Sequence, residues 1–423
     1  MIPEEYTFDP LSVMICDDSA LMRNLVSRII ADAPGMEVIG KAANGKMLLD
    51  MLDNGSKPDV IVLDIEMPVM TGVEFLKERK NRKLKIPVII LSSIATQGAA
   101  VTMECLELGA SDFITKPGGS TSVEIGSVGE ELVEKIASYG GIFGRRNGKK
   151  LPFTDYFLQM LKMHSAEKFV AKQKGSSILP STESHSSVKS SSLFSTTSAS
   201  SAETKEHPSF MPLFTHQKKE PAVITPQRDG GPIKIIAIGI STGGPNALRD
   251  VFKMIDPHLK QPILVVQHMP AGFTKEFAES LNKICPLTVS EAKDEDKIEG
   301  GHIYIAPGDY HIYVEQRPLG NVIRLSQEPQ RNGHRPSADV LFESVAKVYK
   351  NNALGVIMTG MGRDGAQELA EMRKQGAWTL GQDEESSIVY GMPKVGWELG
   401  GVQKQVALKD MADEISSMAR NHA

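Results

Sequence analysis

Short apolar runs and amphipathic stretches alternate along this chain in two separate blocks. Between residues 11 and 138 the runs are SVMIC (12–16), MEVIGKA (36–42), DVIVL (59–63), PVIIL (87–91) and SDFIT (111–115). Patterns of helical period begin near Ala20, Lys46, Val73, Gly98 and Val128. Between 232 and 421 the runs are IKIIAIG, PILVVQ, HIYIAP, HIYVEQ, LGVIMT and AWTLGQ. Helical patterns there occupy roughly 245–256, 272–284, 337–351, 363–375 and 408–419. Unbroken apolar runs mark strands covered on both faces, and their alternation with helices marks a parallel sheet. The pattern predicts two α/β domains, 11–138 and 232–421, each a doubly wound parallel sheet between helical layers.

The intervening stretch, 139–231, reads as a linker. From about Gly175 to Glu206 it is serine and threonine with scattered charges. Such a segment buries too little apolar surface to offset its ordering entropy, so disorder is expected. One part differs: in LPFTDYFLQMLKMHSAEKF, residues Phe153, Phe157, Met160, Leu161 and His164 fall at helical spacing. A helix within 151–170 is expected, packing on a neighbouring domain or docking a partner.

Parallel α/β sheets place their sites at the carboxyl ends of the strands. In the first domain those ends carry Asp17 and Asp18, Asp64, Ser92, and Lys116 followed by Pro117. Converging carboxylates repel unless a cation joins them, and carboxylate and carbonyl oxygens suit Mg²⁺. A nearby lysine stabilises a developing phosphoryl charge. Together these imply phosphoryl transfer onto a carboxylate. Helix capping explains any one aspartate but not all five positions.

The second domain opens with IIAIGISTGGP, residues 235–245. A dinucleotide loop needs a bare backbone where Ser241 stands, and a Walker loop needs a lysine that is missing. What remains is G-x-S-x-G between strand and helix, a turn that presents a serine nucleophile. Among His258, His268, His302, His311, His334 and His422, only His268 directly follows an apolar strand of the parallel type. It is the expected general base. Asp364, in the loop GMGRDG, is favoured over Asp309 and Asp383 to orient it.

Composition narrows the setting. No apolar run approaches the ~18 residues of a membrane span. The start, MIPEEYTFDP, is not a secretory signal. The three cysteines, Cys16, Cys105 and Cys285, propose no disulfide framework and fit a reducing cytoplasm. A net charge of −5 and the lack of a basic stripe argue against nucleic acid. A DNA-binding output domain and a nucleotide-binding one are the alternatives to a hydrolase.

CDDSALMR, LDIEMPVMTG, LSS and ITKP resemble a response-regulator receiver, a flavodoxin-like domain. The resemblance implies that Asp64 is the phosphoacceptor. It implies that Asp18, Asp64 and the Glu66 carbonyl hold Mg²⁺ with Asp17 in the outer shell. Ser92 and Phe113 would be the switch pair and Lys116 the phosphate contact. Thr71 stands where the family usually has aspartate.

IGISTGGP, VVQHMPAGFT, APGDYH, NGHRPSADVLFESVA, IMTGMGRDGA and GQDEESSIVYGMPK resemble the chemotaxis protein-glutamate methylesterases, whose catalytic domain is Rossmann-like and three-layered. That resemblance implies hydrolysis of γ-glutamyl methyl esters on methyl-accepting chemotaxis receptors, with glutamine deamidation as a second activity. It also implies a chemotaxis histidine kinase as phosphodonor and no cofactor for the esterase. Backbone N–H groups, with Thr242 and Met361 as the expected source, would stabilise the oxyanion. The receiver is expected to cover the esterase edge until Asp64 is phosphorylated. The linker of about 90 residues is longer than is usual for the family.

Overall fold

The computed structural model describes residues 8–93, 96–116, 122–152, 157 and 220–423. The first sheet is built from β1 (Leu11–Cys16), β2 (Met36–Ala42), β3 (Val60–Asp64), β4 (Val88–Ser92) and β5 (Asp112–Thr115). Its helices are α1 (Ala20–Ala31), α2 (Gly45–Asp53), α3 (Gly72–Asn81), α4 (Thr96–Glu107) and α5 (Ser122–Arg146). The strands lie in the order β2-β1-β3-β4-β5, all parallel. Side chains alternate between faces with period two. Leu11, Val13, Ile15, Val60 and Val62 pack with Val26 and Ile30 of α1 and Leu132 and Ile136 of α5. Met14, Cys16, Ile61 and Leu63 pack with Leu48 and Leu49 of α2 and Phe75 and Leu76 of α3. Polar caps fix the helix starts. Ser19 accepts from Met22 N, and Thr71 forms a capping box with Glu74.

The second sheet contains β6 (Ile235–Ile240), β7 (Ile263–Gln267), β8 (Thr288–Glu291), β9 (His302–Ile305), β12 (Ala353–Ile357), β13 (Trp378–Gln382) and β14 (Lys404–Val406). Between β9 and β12 lie β10 (His311–Arg317) and β11 (Gly320–Ser326). The helices are α6 (Gly244–Met254), α7 (Phe273–Asn282), α8 (Ala338–Tyr349), α9 (Ala366–Lys374), α10 (Met392–Glu398) and α11 (Leu408–Asn421). The order is β14-β13-β12-β6-β7-β9-β8, again parallel. Ile236 and Ile238 face Leu248 and Phe252 of α6 and Met411 and Ile415 of α11. Ile235, Ala237, Leu264 and Val266 face Leu341 and Phe342 of α8 and Leu369 of α9. Two helical layers therefore enclose one sheet, as the apolar runs require. Among the described residues no helix is long and apolar enough to cross a membrane.

Four elements, β8, β11, β14 and α10, lack a signal in the hydrophobic pattern. β8 and β14 are short edge strands, partly exposed, and so carry no apolar run. α10 is a seven-residue helix. HIYVEQ forms β10, which leaves the parallel sheet and pairs antiparallel with β11. In the segment expected to be helical within 151–170, Leu151 and Phe157 are buried in the first domain's core, Phe157 beside Gly35. The rest of that segment and the serine-rich stretch lie outside the described residues.

The two sheets belong to one compact unit. Phe113 of β5 stacks on Phe273 of α7 with ring centroids 4.8 Å apart. Asn246 Nδ2 of α6 donates to the carbonyls of Ala110 and Ser111, each at 3.0 Å. Ser280 Oγ of α7 donates to Glu107 of α4 at 2.8 Å. Asp112 is buried at this junction. It accepts from Lys135 Nζ and Tyr139 Oη, both at 2.9 Å, and from Gly243 N at 3.3 Å. Burial works against the Lys135 charge, but Asp112 and Glu131 outweigh it and hold the ammonium above its ordinary pKa.

Candidate active site

The carboxyl edge of the first sheet is an acidic pocket of about 280 Å³, lined by Asp18, Asp64, Glu66, Ser93 and Lys116 among others. Asp17, Asp18 and Asp64 each bring a carboxylate oxygen within 4.8 Å of the others. Lys116 Nζ lies 2.7 Å from Asp64 Oδ2 and 3.0 Å from Asp17 Oδ2. Burial pushes the Asp64 carboxyl up, and the Lys116 contact only partly pulls it back. Asp17 Oδ2 is buried and has no partner but the Lys116 ammonium among the described residues. A buried acceptor left so, among three carboxylates, fits a small hard divalent cation.

The remaining residues of the first site are placed more variously. Ser92 is fully buried, with Oγ 2.6 Å from Thr102 Oγ1, while its neighbour Ser93 lines the pocket. Phe113 is buried against Phe273. Thr71 caps α3 and is absent from the pocket lining, so its replacement of the family's aspartate leaves the pocket's chemistry alone.

At the carboxyl edge of the second sheet, β6 and β7 run side by side into Ser241 and His268. Gly243 has φ 82, the left-handed region, and a Cβ there would lie 2.8 Å from Ile388. That glycine lets the chain turn sharply from β6 into α6. Ser241 Oγ is 3.1 Å from His268 Nδ1, and His268 Nε2 is 2.8 Å from Asp364 Oδ2. The three residues the sequence proposed are thus joined in one hydrogen-bonded chain. A phosphate cradle has no use for a histidine on its serine, so the nucleotide-binding alternative loses its support.

The rivals of these residues are engaged elsewhere. Asp309 pairs with Arg335, and Asp383 accepts from Ser386. His302 bonds Ser290, His311 bonds the Pro329 carbonyl, and His422 stacks on Trp378.

Asp364 is held by more than His268. Its Oδ1 accepts from Asn332 Nδ2 at 2.9 Å and Ser337 Oγ at 2.6 Å, and its Oδ2 from Ala338 N at 2.6 Å. It sits at the amino end of α8, where unpaired N–H groups favour an anion. Burial alone would raise its pKa. The hydrogen bond and charge of His268, with Ser337 and Asn332, overcome that and hold it far below the usual carboxylate range. His334 stacks on His268, centroids 3.8 Å apart at 14°. Burial, with the charge of His268, lowers its pKa to about 4, so at neutral pH it is an uncharged plate over the base.

Asn332, His334 and Ser337 were not singled out for these roles by sequence. One signal existed: Ser337-Ala338-Asp339 before an apolar helical run marks a helix start, and helix starts bind anions.

Two backbone amides next to Ser241, those of Thr242 and of Met361 after Gly360, lack partners among the described residues. The Ser241 carbonyl accepts from Gly244 N at 2.7 Å, and the Gly360 carbonyl from Met392 N at 2.8 Å. In a planar trans peptide the next N–H points the opposite way. The N–H groups of Thr242 and Met361 are therefore turned away from these internal bonds, and neither donates a hydrogen bond among the described residues.

A family model described as CheB methylesterase matches residues 236–415, and one described as response regulator receiver domain matches residues 13–124. A protein-glutamate methylesterase/protein-glutamine glutaminase of Treponema denticola is 48% identical over 98% of this chain and 100% of its own length. The protein of that name from Treponema pallidum is 48% identical over 96% of each chain. The crystal structure of the Thermotoga maritima CheB methylesterase catalytic domain is 34% identical, covers 44% of this chain and 98% of that one, and gives a TM-score of 0.43. With both domains matched and near-complete overlap at such identity, the chain belongs to the protein-glutamate methylesterase/protein-glutamine glutaminase family, with a response-regulator receiver ahead of the methylesterase domain.

Proposed function

We propose that this protein is a phosphorylation-controlled serine hydrolase that removes methyl esters from glutamate side chains of chemotaxis receptors and deamidates receptor glutamines. The hydrogen-bonded chain Ser241–His268–Asp364 carries the reading. Ionised Asp364 holds the proton of His268 on Nε2, which leaves Nδ1 to accept the proton of Ser241. Ser241 Oγ attacks the ester carbonyl, and His268 then gives that proton to the departing methanol. Water, deprotonated by His268, cleaves the acyl-enzyme to a free carboxylate and restores Ser241. The N–H groups of Thr242 and Met361 receive the oxyanion, each worth ~10²–10³ in rate.

Regulation is read from the other edge. Asp64 is the phosphoacceptor and Lys116 the phosphate contact, with a chemotaxis histidine kinase as donor. Asp18, Asp64 and the Glu66 carbonyl would hold Mg²⁺, with Asp17 beside them. Mg²⁺ would neutralise the transferring phosphoryl group and draw these carboxylates together. Ser92 and Phe113 form the switch pair. Phe113 bears on Phe273, and Asp112 bonds the amide two residues after the nucleophile, so docking reaches the catalytic edge itself. Phosphorylation shifts this docking equilibrium.

The test is methanol release from methylated receptor membranes, with and without a small phosphodonor. Turnover that rises with the donor and vanishes in Ser241→Ala is expected. Equal rates with and without donor would refute the coupling.

A further inference from the structure

Gln267 is a polar residue at the end of an apolar, fully covered strand, and it is buried. It pairs in register with Ile240, the last strand residue before the nucleophile. Its Nε2 donates to the Ser241 carbonyl at 3.1 Å and to the His268 carbonyl at 3.0 Å. Both amide hydrogens are thereby spent on the backbone of the nucleophile and of the base. Its Oε1 is buried with no hydrogen-bond donor. A buried amide leaving one end unpaired is uncommon, and such residues concentrate where another requirement overrides stability. Gly244 completes the arrangement: a Cβ there would fall 1.9 Å from Oε1, so the side chain fits only over a glycine.

We propose that Gln267 is a positioning residue for the esterase reaction, one that aims the Thr242 N–H at the oxyanion and locks the backbones of nucleophile and base together. This rests on the active-site reading above. The Ser241–Thr242 peptide is planar, so whatever fixes the Ser241 carbonyl fixes the Thr242 N–H on the opposite side. The Gly244 amide holds that carbonyl from within the turn, and Gln267 holds it from the neighbouring strand. The second bond from the same nitrogen ties the turn to the residue that carries the base. Removing Gln267 leaves Ser241, His268 and Asp364 in place. It frees the peptide to rotate, which weakens an interaction made only in the transition state.

The experiment uses the full chain with saturating phosphodonor and methylated receptor membranes. Gln267→Ala should lower kcat ~10- to 100-fold with KM changed less than about threefold. Inhibition by phenylboronic acid, which forms a tetrahedral adduct on a serine oxygen, should weaken in parallel with kcat. Gly244→Ala, which displaces the side chain without removing it, should reproduce the loss. The double variant should lose no more than the single ones. This second route keeps the test decisive should Gln267→Ala fold poorly. Unchanged kcat and boronate inhibition in either single variant, with Ser241→Ala inactive, would overturn the positioning role and leave the active-site reading intact. Persisting turnover in Ser241→Ala would instead remove the reading on which the role rests.

Discussion

The two sheet edges make an instructive pair. Both lie at the carboxyl ends of parallel strands, and both collect their residues from neighbouring strands and the loops that follow. They differ in how their charge is settled. The Ser241 edge is internally closed: Asp364 takes hydrogen bonds from His268, Asn332, Ser337, Ala338 and Asp339, so its buried charge is fully partnered. The Asp64 edge is open: three carboxylates face one ammonium, burial raises the Asp64 pKa, and one buried oxygen of Asp17 has no other partner among the described residues. A closed site is chemically complete and waits only for access to its substrate. An open one is incomplete until cation and phosphoryl arrive, which is what a signal-dependent site requires.

The largest expected effect breaks the closed edge at its nucleophile. Ser241→Ala should lower receptor demethylation by ~10⁶-fold, measured as methanol release. Next, Asp364→Asn keeps the shape of the site but disturbs the tautomer of His268. A fall of ~10⁴ in kcat is expected, with the melting curve checking that the fold survives. The open edge should respond in another currency, activation alone. Chelation with EDTA, or Asp64→Asn, should abolish stimulation by a phosphodonor while the unstimulated rate stays within about twofold. A parallel loss of basal rate would show that the two edges are not separable in this way.

The smallest effect concerns His334. In the unfolded chain its imidazole takes up a proton near pH 6.5, whereas burial and His268 delay this to about pH 4 in the folded protein. Stability present above pH 6.5 is therefore lost as pH falls through that window, by roughly 3 kcal/mol. Urea titrations at pH 7 and pH 4.5 should show this loss reduced in His334→Phe, which keeps a stacking ring but cannot titrate.

What sequence could show follows from what is local. Strands covered on both faces are legible as apolar runs, so β1 to β5 and the central strands of the second sheet stand out. β8 and β14 do not, because an edge strand with exposed positions has no run to show. The chain Ser241–His268–Asp364 was legible because each member stands where a strand ends. Asn332, His334 and Ser337 were not, since they act from an irregular loop that reaches Asp364 only when α8 packs beside β6. The stacking of Phe113 on Phe273 was hidden for the same reason: each residue sits unremarkably in its own domain. Ser92 matches the expected position, yet it bonds Thr102 and it is Ser93 that lines the pocket.

The hydrogen bond from Gly243 to Asp112 has a further use. Its donor belongs to the turn that carries the nucleophile and its acceptor to the receiver, so the bond exists only while the two are docked. Amide hydrogen exchange at Gly243 therefore clocks the opening of this junction without any substrate present. Slow exchange marks the docked protein, and a phosphodonor should speed it in proportion to the fraction released. One peptide N–H, two residues from the serine, becomes a timepiece for the whole switch.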